Sequence, residues 1–286
     1  KTLMSLIEAY WAQDRDYAVT IVPHPAVDAD ARHRRFWGEW HERNRARINR
    51  HCRGVAIGDF AGSGRPALAF ACNGRPSQAI HCLWGNVVRA LLVLGYGADP
   101  RVERSIDGLA RSITGDGYQE HYMKSCIQAP EFVCAANYGL PCAWGAVRAL
   151  WALNRVPISA RTPAISAAIE ASASFLLRYD VAGADYPYRE RINFSWFRFG
   201  YPLGYVTDVL LNLEALTEAG RGADARLADV IQLVLDKQDS QGRWTMEYTY
   251  NGKMWADVER KGQPSKWITL RAFRALRGAA AAIQNA

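Results

Sequence analysis

A segment rich in apolar residues recurs four times along the chain at nearly constant spacing. The copies begin at residues 82, 142, 204 and 266, which are 60, 62 and 62 residues apart. Each copy has apolar side chains at helical spacing, and the first three are followed by a Gly- or Pro-bearing turn and a second helical stretch. A period of this size is typical of stacked helix pairs, none of which buries its apolar face alone.

The two helices of each unit differ in charge. The first helices carry few charged residues, which predicts burial on all sides, as in the inner layer of a closed barrel. The second helices are predicted over residues 100–113, 162–179 and 224–237. Apart from short pieces of loop such as residues 245–250, no strand is predicted.

These patterns predict an all-α protein, an α/α toroid of five to six helix pairs. Further helices are predicted over residues 3–13 and 34–52. We expect one domain spanning residues 1–286, in which residues 81–286 hold four repeats of about 60 residues. Residues 1–80 supply N-terminal helices and loops that complete or cap the barrel.

Composition bounds the class of protein. The net charge is +7, and the densest basic stretch, residues 32–53, interleaves acids at helical spacing and indicates a solvated helix face. No nucleic-acid motif is present, and no apolar run approaches the roughly 18 residues needed to span a membrane. Six Cys lie within residues 52–142, in a chain whose core needs no disulfides, so we expect thiols in a cytoplasmic protein.

A loop signature gives a resemblance to a known superfamily. Residues 238–244 read Gln-x-x-x-Gly-x-Trp, which resembles the repeat signature of squalene and oxidosqualene cyclases. Residues 264–271 resemble the start of an inner helix in the same superfamily, which includes the β subunits of protein prenyltransferases. The resemblance covers roughly residues 80–280 and implies an α/α toroid.

The activity motifs of that superfamily are not matched. Its class II terpene cyclases protonate substrate with Asp-x-Asp-Asp, and the nearest match here, residues 28–31, reads Asp-Ala-Asp-Ala. Protein prenyltransferases hold zinc with an Asp-x-Cys pair, which does not occur in this chain. Neither squalene cyclisation nor protein prenylation is therefore predicted.

If the first helices are inner, their N-termini open at one end of the barrel. Cys82, Cys142, Tyr205 and Trp267 then surround this opening, and Asp208 lies one turn deeper. Helix N-termini carry partial positive charge and lower a thiol pKa, so both cysteines are candidates for reactive thiols. The alternative is that both are small, buried helix-start residues.

Three loops are expected near the same opening. The loop with His121 and Cys134 allows two interpretations, a zinc site of Cys and His ligands or acid–base chemistry without metal. The loop over residues 184–199 is dense in aromatics and Arg, and either closes an apolar cavity or packs as structure. The loop over residues 254–262 offers Asp257 as an acid or base, or as a partner of neighbouring cations.

We therefore predict an enzyme that acts on a hydrophobic small molecule, isoprenoid or polycyclic, by metal-independent acid–base chemistry such as hydration, dehydration, isomerisation or cyclisation. The predicted catalytic residues are His121 as general base, Cys134 or Cys142 as proton donor or nucleophile, Asp208 as acid or orienting group, and Asp257 as acid or base. The predicted substrate-binding residues are Cys82, Trp84, Trp144, Tyr188, Arg191, Tyr205, Trp255 and Trp267. No cofactor is predicted.

Two alternatives remain open from the sequence. One is a zinc-dependent toroid enzyme with Cys and His ligands, and the other is a non-catalytic toroid that holds a lipid or peptide. An enzyme is expected to place a desolvated ionisable pair in its interior, whereas a carrier is not.

Overall fold

The computed structural model describes residues 81–116, 132–134, 137, 140–188, 192, 194–204, 206–252 and 257–284, and the backbone of two strands nearer the N-terminus. The predicted helices over residues 3–13 and 34–52 lie outside this part. The described chain is mostly helical, as predicted. Its α-helices are α1 (His81–Val93), α2 (Pro100–Thr114), α3 (Ala143–Leu153), α4 (Pro163–Leu177), α5 (Val209–Glu218), α6 (Ala228–Asp236) and α7 (Lys266–Gln284).

Short strands form three antiparallel two-stranded ladders. They are β1 (Val55–Gly58) with β2 (Ala67–Phe70), β3 (Val133–Cys134) with β4 (Leu140–Pro141), and β5 (Trp244–Thr245) with β6 (Pro264–Ser265). The prediction of no strand outside loop pieces is wrong for β1 and β2. Both are short apolar runs flanked by Gly-bearing segments, a pattern that fits a strand as well as a buried helix.

Local sequence fixes the outer helices α2 and α4. Asp99 caps α2 by accepting from the Arg101 amide at 2.8 Å, and Gly115 ends it in the left-handed conformation, with φ of 82°. Thr162 caps α4 by accepting from the Ile165 amide at 3.3 Å. Both helices have Pro at their first position, where the missing amide costs no helical hydrogen bond.

The helices form two layers. In the inner layer α1 packs on α3, α3 on α5, and α5 on α7, while α2, α4 and α6 pack on α1, α3 and α5 from outside. The order follows the repeat, because the first helix of each unit contacts the first helix of the next. α3 and α5 show the burial that their low charge predicts, and every residue from Val209 to Leu216 is buried.

Adjacent inner helices are parallel. Between α3 and α5, Arg148 contacts Thr207 near the start and Asn154 donates to the Ala215 carbonyl near the end. Gly145 of α3 likewise lies beside His81 at the start of α1. The inner helices therefore begin at one end of the layer, which we call the mouth.

The third inner helix begins later than predicted. The repeat places its start at Gly204, whereas α5 begins at Val209. Gly204 has φ of 52°, which is incompatible with a right-handed helix. Asp208 then caps α5 by accepting from the Leu211 amide at 2.7 Å. Residues 200–204 and 206–208 form an irregular segment at the mouth, which we call the α5 entrance.

α7 and α1 each expose one face. In α7, Ile268 and Ala272 are fully buried, whereas Leu270 and Phe273 are 41% and 52% exposed. In α1, Val93 is 59% exposed. The all-round burial predicted for inner helices is therefore wrong for both.

Candidate functional site

A buried ion-pair cluster joins α5 to α7 just inside the mouth. Arg271 donates to the two carboxylate oxygens of Asp208 at 2.9 and 3.2 Å, and its Nε donates to Glu214 at 3.2 Å. The side chains of Arg271 and Asp208 are 9% and 0% exposed. Burial alone would lower the pKa of Arg271, but attraction to Asp208 and Glu214 outweighs it and raises the pKa above its ordinary value.

Asp208 is held on all sides. Besides Arg271, its Oδ2 accepts from the Gly200 amide at 2.9 Å and its Oδ1 accepts from the Leu211 amide. Two carboxylate oxygens thus serve four donor contacts, which suits a group that positions its neighbours. Of the roles predicted for Asp208, this geometry favours the orienting one.

Glu214 is the second buried carboxyl group of the cluster. It is 3% exposed, and burial raises its pKa while Arg271 opposes the rise. Among the described charged groups, Arg271 is the one that donates a hydrogen bond to the Glu214 carboxylate, through its Nε. A desolvated carboxyl group with a raised pKa is the kind of group that gives up a proton near neutral pH.

Arg148 of α3 is a second buried guanidinium, 3% exposed. It donates to Thr207 Oγ1 at 3.1 Å, to Asn86 Oδ1 at 2.8 Å and to the Val206 carbonyl oxygen. These acceptors are neutral, and no carboxylate in the described part of the chain forms an ion pair with Arg148. Burial first, and the charge of Arg271 second, lower the pKa of Arg148 to about 10.

The two arginines hold the α5 entrance from opposite sides. Arg148 reaches Val206 and Thr207 from α3, while Arg271 reaches Asp208 and the Gly200 carbonyl, at 2.8 Å, from α7. The irregular backbone in front of α5 is therefore fixed by buried charge on two neighbouring helices.

Side chains of α1 also reach α5 past α3. Arg89 pairs with Glu218 at 3.1 Å and donates to the Trp151 carbonyl, and its guanidinium lies 3.6 Å from the centre of the Trp151 ring. Asn86 donates to the Gly204 carbonyl. Helices that are second neighbours along the layer are thus in direct contact.

Three thiols gather where α1 and α3 begin. Cys134 and Cys142 hydrogen-bond through their side chains, and Cys82 lies close enough to influence Cys142 electrostatically. The hydrogen bond to Cys134 and then burial raise the pKa of Cys142 above its usual range. This is opposite to the lowering predicted from the helix start, because desolvation and the neighbouring thiols outweigh the helix dipole.

His81 precedes this thiol group and is 1% exposed. Its Nε2 lies 3.0 Å from Ser112 Oγ of α2, and its ring packs edge-on against Phe132 at 5.4 Å. Burial lowers the pKa of His81 to about 3, so its imidazole is neutral at physiological pH.

The remaining described candidates lie in different settings. Trp84 is 1% exposed and donates to Ser105 Oγ at 2.8 Å, as a core residue does. Trp144 is half-buried in α3. Trp267 is half-buried at the mouth and stacks on Tyr201 of the α5 entrance, with ring centres 4.9 Å apart.

Tyr188 and Asp257 lie in loops apart from the ion-pair cluster. Tyr188 lines a surface cavity of about 320 Å³, together with Gly183, Ala184, Asp185, Tyr186, Ile192 and Phe197. Asp257 is exposed and accepts from the Gly252 amide within its own loop. His121, Arg191, Tyr205 and Trp255 lie outside the described residues, and their roles stay predictions.

Three interior charges were missed by sequence reasoning, namely Arg148, Glu214 and Arg271. Arg148 is the single charge of α3, whereas α5 and α7 each carry other charged residues as well. The signal was therefore available only for Arg148, because a charge on a buried helix requires a buried partner. The partner lies about 60 residues away, and spacing alone does not identify it.

Comparison with protein-family models, with curated proteins and with solved structures gives no match. Within the part of the chain that the structure describes, no group of three or more His, Cys, Asp and Glu side chains is arranged to hold a metal ion. Among the same residues, no helix has the length and apolar character needed to cross a bilayer.

Proposed function

We propose that this protein is an α/α-toroid enzyme that acts on a hydrophobic, isoprenoid or polycyclic small molecule by acid–base chemistry. The observation that carries the proposal is the desolvated cluster of Arg271, Asp208 and Glu214 inside the mouth. Strongly perturbed ionisable groups in an interior are characteristic of active sites, although structural ion pairs also produce them. A carrier for an apolar ligand has no need of such a cluster.

The contacts between α1 and α5 support closure of the helix layer into a ring. Packed helices lie about 8–10 Å apart, so second neighbours in a flat row are separated by roughly twice that distance. The pairing of Arg89 with Glu218, and of Asn86 with Gly204 just before α5, brings side chains of α1 to the third inner unit past α3. Such contacts across the layer support a layer that curves towards its own interior, as the proposed toroid does.

Within this proposal the interior groups have separate roles. Glu214 is the proton donor, because it is buried inside the mouth and burial raises the pKa of its carboxyl group. Asp208 positions Arg271 and the α5 entrance. Cys142 has a raised pKa, which suits a proton donor towards the substrate. His121 remains the predicted general base, and Trp267 the predicted wall of the cavity.

The proposal is tested by proton transfer to carbon in D₂O. The purified protein is incubated with a panel of C10 to C30 isoprenoid alcohols and alkenes, and products are analysed by gas chromatography and mass spectrometry. Hydration, isomerisation and cyclisation that begin with protonation of a carbon–carbon double bond place solvent deuterium on carbon, whereas a reaction that begins with protonation of a hydroxyl group releases water and is detected by its new product. We expect deuterated product from at least one panel member, reduced about 100-fold or more by Glu214→Gln.

Glu170→Gln serves as the matched control, because Glu170 is 59% exposed and pairs with Arg221 away from the mouth. It should leave the rate unchanged, and circular dichroism verifies that both variants are folded. Ligand-induced thermal stabilisation without deuterium uptake or a new product would identify a carrier instead. Equal rates for wild type and Glu214→Gln would remove Glu214 from the mechanism, and neither uptake nor binding across the panel would reject the substrate class.

A further inference from the structure

The ladder of β3 and β4 presents two cysteines on one face. Cys134 pairs with Leu140, and the Cys142 amide donates to the Phe132 carbonyl at 2.9 Å, so Phe132 stands opposite Cys142. Side chains alternate between the faces of a strand, and opposed residues share a face. Cys134 and Cys142 are therefore diagonal neighbours on the same face of this ladder.

The two thiols are in contact but differ in access to solvent. Their side chains hydrogen-bond to each other. Cys134 is 4% exposed, whereas Cys142, at the N-cap position of α3, is half-buried. When a partly accessible thiol lies beside a buried one, the accessible thiol can react with a reagent from solvent. The buried thiol can then displace the reagent from the mixed disulfide.

We propose that Cys134 and Cys142 form a redox-active dithiol that small disulfides oxidise reversibly. The Cys142 thiolate attacks one sulfur of the reagent, which forms a mixed disulfide and expels one small thiol. The Cys134 thiolate then attacks the Cys142 sulfur, which forms the Cys134–Cys142 disulfide and expels the second small thiol. The protein loses two electrons and two protons, and the small disulfide gains both.

The ladder geometry indicates that this disulfide is reversible. Diagonal neighbours in a ladder lie about 7–8 Å apart, at or beyond the upper limit of the Cα separation that a disulfide spans. Closing the bond therefore requires a small shift of β3 against β4. Disulfides with such strain have more oxidising potentials and exchange with small thiols, as regulatory and catalytic disulfides do.

Cys82 provides the control within the same group of thiols. It lies near Cys142 but belongs to the first turn of α1, so no strand pairing aligns it with either cysteine. Cys82→Ser should leave the Cys134–Cys142 disulfide intact, whereas Cys142→Ser should abolish it. The proposal does not depend on the proposed enzymatic function, because oxidation is measured without a substrate.

The experiment equilibrates the full-length protein with reduced and oxidised glutathione and then traps the remaining thiols with an alkylating reagent. Chymotrypsin cleaves after Tyr138, which separates the two cysteines into different peptides unless a disulfide joins them. We expect the joined pair of peptides in wild type and in Cys82→Ser, and its complete reversal by excess reduced glutathione.

A measurement in 8 M urea distinguishes the folded site from simple proximity along the chain. Because the fold holds the two thiols in contact, and this contact outweighs the strain of closing the bond, the equilibrium constant of the Cys134–Cys142 disulfide against glutathione should be about tenfold or more higher in the native protein than in the unfolded one. Equal constants in the two states would overturn the proposal, as would a native disulfide that joins either cysteine to Cys82 or Cys126.

Discussion

Three buried charged residues, Arg148, Glu214 and Arg271, determine the electrostatics between the inner helices. Among the described residues Arg148 has neutral acceptors, Arg271 has two carboxylates, and Glu214 has a raised pKa. In the sequence Arg148 stands out as the single charge of its helix, whereas Glu214 and Arg271 share their helices with other charges, and Asp208 was identified as a candidate. The sequence could not show the pairing, because the contacts of Arg148 and Arg271 are 57 to 71 residues distant in the chain.

His81 should make the protein sensitive to acid. Its pKa is lowered to about 3 in the folded state, so below a pH of about 6.5 the unfolded state binds the proton more readily. The free energy of unfolding should then fall by about 1.4 kcal/mol for each pH unit, towards a limit near pH 3. The measurement is urea unfolding at a series of pH values between 7 and 4.

The comparison is with His81→Gln, which keeps a hydrogen-bonding group near Ser112 and does not titrate. Other ionisable groups contribute equally to both proteins, so the difference in slope isolates the imidazole. Identical slopes would mean that His81 accepts a proton in the folded state.

At the scale of the elements, sequence reasoning worked where local signals determine the ends. The predicted spans of α2 and α4 agree with the structure within two residues, because Asp99, Thr162 and the following prolines mark the helix starts. It failed at α5, where the repeat suggests a helix from Gly204. The α5 entrance is held by contacts with Arg148 and Arg271, which are distant in the chain. Local helix propensity does not reflect such contacts.

Close approach of α1 and α3 depends on glycine. A Cβ atom at Gly85 would lie 2.4 Å from the Arg148 carbonyl oxygen and 2.9 Å from the Ala149 nitrogen. Because these are backbone atoms, Gly85→Ala should force the helices apart and destabilise the protein by about 1–3 kcal/mol or more. Chemical denaturation measures the change.

Gly97→Ala is the matched substitution in the turn between α1 and α2. A Cβ atom there meets only the flexible Leu92 side chain, at 3.3 Å, and the expected change is within about 0.5 kcal/mol. Equal effects of the two substitutions would show that the contact between α1 and α3 is looser than the coordinates indicate.

At the scale of the whole molecule, the repeat predicted the order in which the inner helices pack. Periodicity alone leaves the curvature of the helix layer undetermined, since stacked pairs also form open superhelices. The closed toroid remains a proposal, which the contacts of Arg89 and Asn86 support.

Small-angle scattering tests the closure. A compact monomer of 286 residues has an expected radius of gyration of about 19 Å. A closed ring of helix pairs should give this value and a single-peaked, nearly symmetric distance distribution. An open row would give a clearly larger radius and a distribution with a long tail, and that result would reject the toroid.

The α5 entrance has a mechanical consequence. Because Arg148 of α3 and Arg271 of α7 both hydrogen-bond to the backbone of the α5 entrance, a displacement of either helix would move this segment. The α5 entrance therefore couples the positions of α3 and α7. A molecule that binds against Tyr201 or Gly204 would displace the segment and, through it, both helices.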